Sequence, residues 1–196
     1  MSSILERLEQ TEHIRNLLVG DLGRLKPRLG ERSVAVAHTA AQYANRRAYV
    51  RATFALVEAL VEQHARLLVD LESGGAVSLT PEERAALSET TYEVRQGGQI
   101  RMRDARLSLD RKLRLVYRLA GEVLGEPLAI RFDDQGWVSF REAQRIRDAL
   151  MHPKTPHDCY VDERQLNKVD SAEEWYRVVH NEFTRVAEQH RASRKW

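Results

Sequence analysis

The amino-acid sequence predicts an all-α protein: a helical bundle with long antiparallel core helices and one small non-helical excursion near residues 126–138. Three observations carry this. Apolar residues recur at spacings of three and four over long stretches, the period of a helix that buries one face. Capping signatures stand at the heads of several of these stretches and glycines at their ends. Turn-forming residues are scarce, with 10 Gly and 5 Pro in 196 residues, whereas sandwiches and barrels need many.

The first helix is expected over about 3–19, with Ile4, Leu8, Ile14 and Leu18 inward, and is broken by the stretch 20–30. The second is the longest, about 42–72. Tyr43, Val50, Phe54, Val57, Val61, His64, Leu68 and Leu71 form one seam, with Arg47 in its single gap. At 1.5 Å per residue such a helix is roughly 45 Å long. Gly74-Gly75 closes it. Thr80-Pro81-Glu82-Glu83 is a capping box with proline in the first turn and opens a short helix ending before Gly97-Gly98. Another long helix is expected from about Met102 to Leu124, with Leu109, Leu113, Val116, Ala120 and Val123 on one side and Gly125 and Pro127 beyond its end. Asp133-Asp134-Gln135-Gly136 reads as a turn between short apolar pieces, a pattern compatible with a small hairpin. Ser139-Phe140-Arg141-Glu142 and Ser171-Ala172-Glu173-Glu174 read as two further helix starts. The last helix carries Trp175, Val179, Phe183 and Val186 inward. No repeat or linker divides the chain, which predicts a single helical domain over 1–196, with 1–30 an extension on a core of about 40–190.

Composition narrows the functions. Hydrophobic residues make up 42%, enough to exclude a wholly disordered chain. Thirty-one basic residues against 29 acidic ones, a net charge of +2, exclude a polycation, so a nucleic-acid surface must be a local patch. Cys159 is the only cysteine, which excludes an intrachain disulfide and fits a reducing compartment. No run approaches the roughly 20 apolar residues of a membrane-spanning helix. Met1-Ser2-Ser3-Ile4-Leu5-Glu6-Arg7 lacks the apolar core of a signal peptide, so a cytoplasmic location is expected.

The most informative stretch is Arg145-Ile146-Arg147-Asp148-Ala149-Leu150-Met151-His152-Pro153-Lys154. On the helix read from Ser139, Phe140, Ala143, Ile146 and Leu150 fall within roughly a 120° arc, and Arg147 lies about 45° from its centre, half turned toward the core. Pro153 disfavours helical geometry at His152, which therefore sits at a helix C-terminus. A guanidinium meets two phosphate oxygens at once, and an imidazole exchanges protons near neutral pH. Together they suit binding a phosphodiester and moving protons around it. The plain alternative makes Arg147 a core-edge arginine paired with a carboxylate, His152 an ordinary C-cap, and Asp148 a partner of Arg145 or Lys154.

An arginine followed five or six residues on by a histidine also occurs at Arg7/His13, Arg32/His38 and Arg185/His190. Only Arg147-Asp148-Ala149-Leu150-Met151-His152 adds a polar residue after the arginine, an amphipathic helix and a helix-ending proline. That pattern resembles the Arg-x4–6-His motif of the HEPN superfamily. The stretch Arg46-Arg47-Ala48-Tyr49-Val50-Arg51-Ala52-Thr53-Phe54-Ala55-Leu56-Val57-Glu58 resembles that family's early core helix, and the resemblance covers roughly residues 40–190. It implies a helical domain, commonly a homodimer, acting as a metal-independent endoribonuclease without cofactors, often a toxin or phage-defence component. Arg147 would position the phosphate, His152 would be general base or acid for attack by the ribose 2′-OH, and Asp148 would orient its neighbours. RNA is then the substrate, with an antitoxin or a nucleotidyltransferase as partner. One subgroup carries a modified tyrosine two residues after the histidine, where this chain has Lys154.

Arg111, Arg114 and Arg118 project away from the apolar seam of their helix and, with Arg145 and Lys154, form a weaker candidate RNA-binding set. His152, His157, Asp158 and Cys159 lack the four well-placed ligands of a structural zinc site, so no metal is expected. His64 reads as a satisfied buried histidine, and Trp175 and Phe183 as core. Two other functions stay open: a non-catalytic module of the same fold binding a protein partner or nucleotide, and a helical nucleic-acid-binding regulator.

Overall fold

The computed structural model describes residues 4–26 and 40–193. It is mostly helical with one small two-stranded sheet. In chain order the elements are α1 (Ile4–Leu25), α2 (Ala40–Ser73), α3 (Pro81–Leu87), β1 (Thr90–Val94), β2 (Ile100–Asp104), α4 (Leu109–Leu124), α5 (Gln135–Met151), a 3-10 turn (Pro156–Cys159) and α6 (Glu163–Ser193).

The seam of α2 is buried as its spacing requires: Val50, Phe54, Val57, Val61, His64 and Leu68 are each at most 2% exposed. Gly75, at φ 72°, takes the left-handed conformation just past the helix end. Thr80 and Glu83 form the expected reciprocal cap on α3, with bonds of 3.1 and 3.0 Å and Pro81 in the first turn. Gly125, at φ 80°, closes α4.

Four boundaries differ from the sequence expectation. Where a helix was expected up to Gly97-Gly98 and another from Met102, an antiparallel hairpin stands instead, pairing Tyr92 with Met102 and Val94 with Ile100. Thr90, Thr91, Tyr92 and Val94 favour extended backbone, and Gly98, at φ 76°, supplies the left-handed turn residue. Helix α4 therefore starts at Leu109. Helix α5 starts at Gln135, because the Asp134 carboxylate accepts the Trp137 N–H at 2.8 Å; Ser139 lies buried inside the helix and the irregular stretch ends at Asp134. Helix α6 starts at Glu163 on a reciprocal pair between Asp162 and Gln165, while Ser171 bonds back to the Asn167 carbonyl. Helix α1 continues through Gly20 and Gly23, and Leu22 between them is buried. A glycine costs a helix about 1 kcal/mol, less than burying a leucine returns.

The chain divides into two compact units, Met1–Thr11, Leu60–Ile130 and His180–Trp196 in the first, Glu12–Ala59 and Arg131–Val179 in the second. In the first, Leu68, Leu113, Val116, Ala120, Phe183 and Val186 form the apolar core around buried His64 and His180. The His64 ring stacks on Phe183 at 3.8 Å between centroids, its Nδ1 meets the Tyr117 hydroxyl at 2.9 Å, and its Nε2 meets His180 Nδ1 at 3.2 Å. The second unit is built on an aromatic cluster of Phe54, Phe132, Trp137, Phe140 and Trp175, with neighbouring ring centroids 5.1–6.0 Å apart. Among the described residues no helix is long and apolar enough to cross a membrane.

Candidate functional site

The site lies in the second unit, where the N-terminal half of α2 meets the C-terminal end of α5 and the segment after it. Phe140, Ala143 and Leu150 are the buried stripe of α5, which leaves Arg147 at the edge of the core with a side chain 26% exposed. Its guanidinium is engaged at both arms. Nη2 donates to the Glu58 carboxylate on α2, and Nη1 donates to Asp148 at 3.0 Å. Three groups thus share one cluster whose formal charge is one positive against two negative.

His152 is the C-cap residue of α5, at φ −133° and ψ 60°, with its backbone N–H donating to the Asp148 carbonyl at 3.0 Å. Pro153 follows and the helix stops, as expected. The residue is exposed, and among the described residues its imidazole meets no hydrogen-bonding partner. Asp148 therefore touches both candidates, Arg147 through its carboxylate and His152 through its backbone.

Three arginines of α2 fix the segment around His152. Arg51 donates to the Leu150 carbonyl at 3.2 Å, in the last turn of α5. Arg47 donates to the Cys159 carbonyl at 3.2 Å. Arg46, itself buried, donates to the Val161 carbonyl at 3.0 Å and to Glu163 at 3.2 Å. These carbonyls lie beyond the α5 ladder or at its open end, where backbone acceptors need outside donors. Asp158 orders the loop between, accepting the backbone N–H groups of Lys154 and Thr155 at 2.8 Å each, and these bonds hold its carboxyl below the ordinary range. Asp158 thus serves the loop backbone, and among the described residues no cluster of His, Cys, Asp and Glu is arranged to hold a metal ion.

Of the weaker RNA-binding candidates, Arg145 and Lys154 are exposed in this unit. Arg111, Arg114 and Arg118 are exposed on α4, in the first unit. Arg118 is neutralised there by both oxygens of Glu122, at 2.8 and 2.7 Å, and by Glu83 at 3.3 Å. Lys112 is buried against Glu62 and Glu89 at 2.6 and 3.2 Å. Two of the other arginine–histidine spacings are used structurally. Arg7 pairs with Asp70 at 2.5 Å, and Arg185 pairs with Glu182 while His190 is buried with Nδ1 at the Leu124 carbonyl. Arg32 and His38 lie outside the described residues.

The residues that sequence reasoning missed are Glu58 and Arg51. Both stand in the stretch of α2 compared with the HEPN core helix, seven residues apart and so on one helical face, which is the signal that marks them. No family model matches the chain, and no curated protein or solved structure matches it.

Proposed function

We propose that the protein is a metal-independent endoribonuclease of the HEPN type, acting as a toxin or phage-defence component. The observation that supports this reading best is an arginine at a core edge, held by Glu58 and Asp148, one turn before an exposed histidine that closes the same helix. His152 takes the proton of a ribose 2′-OH. The 2′ oxygen attacks the adjacent phosphorus, a new P–O bond forms, and the P–O5′ bond breaks to leave a 2′,3′-cyclic phosphate and a 5′-hydroxyl. Arg147 neutralises the charge that develops on the phosphoryl oxygens, as a guanidinium fork does well. A phosphodiester arriving there replaces the half-exposed Asp148 at Nη1, one anion for another, while Glu58 retains Nη2. The leaving oxygen takes its proton from a second imidazole, the His152 of another copy of the chain across a twofold axis.

A second reading has its own support. Both arms of Arg147 are already satisfied by carboxylates, which suits a non-catalytic helical module that binds a protein partner or a nucleotide. Incubation of labelled RNA with the purified protein in EDTA separates the two. Cleavage with a 2′,3′-cyclic phosphate terminus, lost in His152→Ala at unchanged helical content, is the expected result. RNA that stays intact across varied sequences, or equal cleavage by His152→Ala, overturns the nuclease.

A further inference from the structure

On α2, α4 and α6, the exposed Arg66, Arg118, Arg177 and Arg185 each lie beside a carboxylate three or four positions away: Glu62, Glu122, Glu174 and Glu182. Helix α5 is built differently. Arg141 and Arg145 are exposed, and among the described residues neither meets a carboxylate. The two acids within reach of Arg145 on its own helix are engaged elsewhere, Glu142 by Lys168 at 2.8 Å and Asp148 by Arg147 at 3.0 Å. Like charges four residues apart on a helix repel, so nothing within the helix favours the pair. At 3.6 residues per turn, positions 141, 145, 148 and 152 fall within an arc of about 60°, opposite the buried Phe140–Ala143–Leu150 stripe. Two uncompensated cations therefore stand in file with His152, and Asp148, the one acid in that file, is where the Arg147 guanidinium reaches it.

We propose that Arg141 and Arg145 form a phosphate track for single-stranded RNA, holding the two phosphates that follow the scissile one along the strand. This rests on the RNA reading of the Arg147–His152 cluster and extends it to the rest of the substrate. Four residues of helix rise roughly 6 Å, close to the step between neighbouring phosphates on one strand. Arg147 stands two positions beyond Arg145, so the cations follow one another toward the histidine. Cations in such a file track a backbone without reading its bases. An acidic protein surface is met as well by scattered cations and needs no file aimed at an imidazole. The chemistry selects the single strand over the duplex. Attack by a 2′ oxygen needs that oxygen, the phosphorus and O5′ in line, an alignment that a stacked duplex resists and a flexible strand reaches.

Fluorescence anisotropy of the full chain with a labelled 2′-O-methyl oligoribonucleotide, whose attacking oxygen is blocked, tests the track without cleavage. Arg141→Gln and Arg145→Gln are each expected to weaken binding about three- to tenfold at low salt and to lower the slope of log affinity against log salt by about 0.7, at unchanged helical circular dichroism. Arg177→Gln, which removes an exposed arginine already held by Glu174, is expected to bind as the wild type does. Wild-type affinity in both α5 variants overturns the track, as does a wild-type chain that does not bind the strand. So does an equal loss in Arg177→Gln, which would make the effect one of net charge. Equally tight binding of the corresponding duplex overturns the single strand, and displacement by polyglutamate at equal carboxylate and phosphate concentrations would point to an acidic protein instead. The two readings fail separately. Binding with the expected losses but no cleavage of ordinary RNA overturns the nuclease alone, whereas cleavage with no loss of binding in the α5 variants overturns the track alone.

Discussion

Glu58, just past the middle of α2, holds the guanidinium of Arg147 near the end of α5, 89 positions later in the chain. The pair joins two helices at the point where the candidate chemistry stands, and it is half exposed, so its worth lies more in orientation than in stability.

Replacing Glu58 separates its two effects on Arg147. Glu58→Gln keeps a hydrogen-bond acceptor beside Nη2 but removes a negative charge next to the incoming phosphate, so tighter RNA binding, by about threefold or more, is expected at low salt. Glu58→Ala removes the anchor too, and an unanchored guanidinium loses alignment with the transition state, which costs about tenfold or more in cleavage rate. Neither change should cost more than about 1 kcal/mol of stability. Fluorescence anisotropy with RNA, single-turnover cleavage and urea denaturation read the three quantities. Identical behaviour of the two variants would show that Glu58 does not act by orienting Arg147, and wild-type behaviour of both that its charge does not matter either.

Gly136, in the first turn of α5, sits against the face of the Trp175 side chain. A Cβ built there falls 2.9 Å from Cγ and 3.1 Å from Cβ of that tryptophan, tighter than packed atoms approach. Gly136→Ala is therefore expected to destabilise the chain by about 1–3 kcal/mol, although alanine is the better helix former by about 1 kcal/mol. Thermal denaturation should show a melting temperature lower by several degrees. A raised melting temperature would mean that Trp175 moves aside without loss.

The buried pair His64 and His180 makes the fold sensitive to acid. Burial, and the nearness of His180, push the His64 imidazole well below its ordinary range, so it stays neutral in the folded chain. In the unfolded chain it takes up a proton below about pH 6.5. The unfolded state then binds more protons, and stability falls with pH, by about 1.4 kcal/mol per unit once well below that value. Above about pH 7.5 this contribution is flat. Urea denaturation between pH 8 and pH 5 should show the slope, and His64→Phe should reduce it while lowering stability at neutral pH, because the Tyr117 hydroxyl and His180 Nδ1 lose a buried partner. An unchanged slope in that variant would place the proton uptake elsewhere.

The helices and their buried faces were readable in the sequence where the signal is local and repeated. The α2 seam, the Thr80–Glu83 cap and the glycine stops at Gly75 and Gly125 each depend on residues within one or two turns of each other. The helix starts at Ser139 and Ser171 failed because a capping pattern is short: Asp134 and Asp162 offered equivalent oxygens upstream, and only burial of Trp137 and Leu166 decided which start was used. The hairpin was hidden because Tyr92, Val94, Ile100 and Met102 are apolar yet exposed, so their pattern carries no core to align with.

By itself the sequence determined that the chain is mostly helical, that Arg147 stands at a core edge and that His152 ends its helix before Pro153, since periodicity and the proline ring act over a few residues. Only the tertiary structure decided what surrounds them. That Glu58 reaches Arg147, and that Arg46, Arg47 and Arg51 pin the end of α5 and the segment beyond it, depends on contacts 89 to 117 positions apart in the chain. Side chains so distant meet because the packing of apolar stripes orients whole helices, and no local spacing encodes the result.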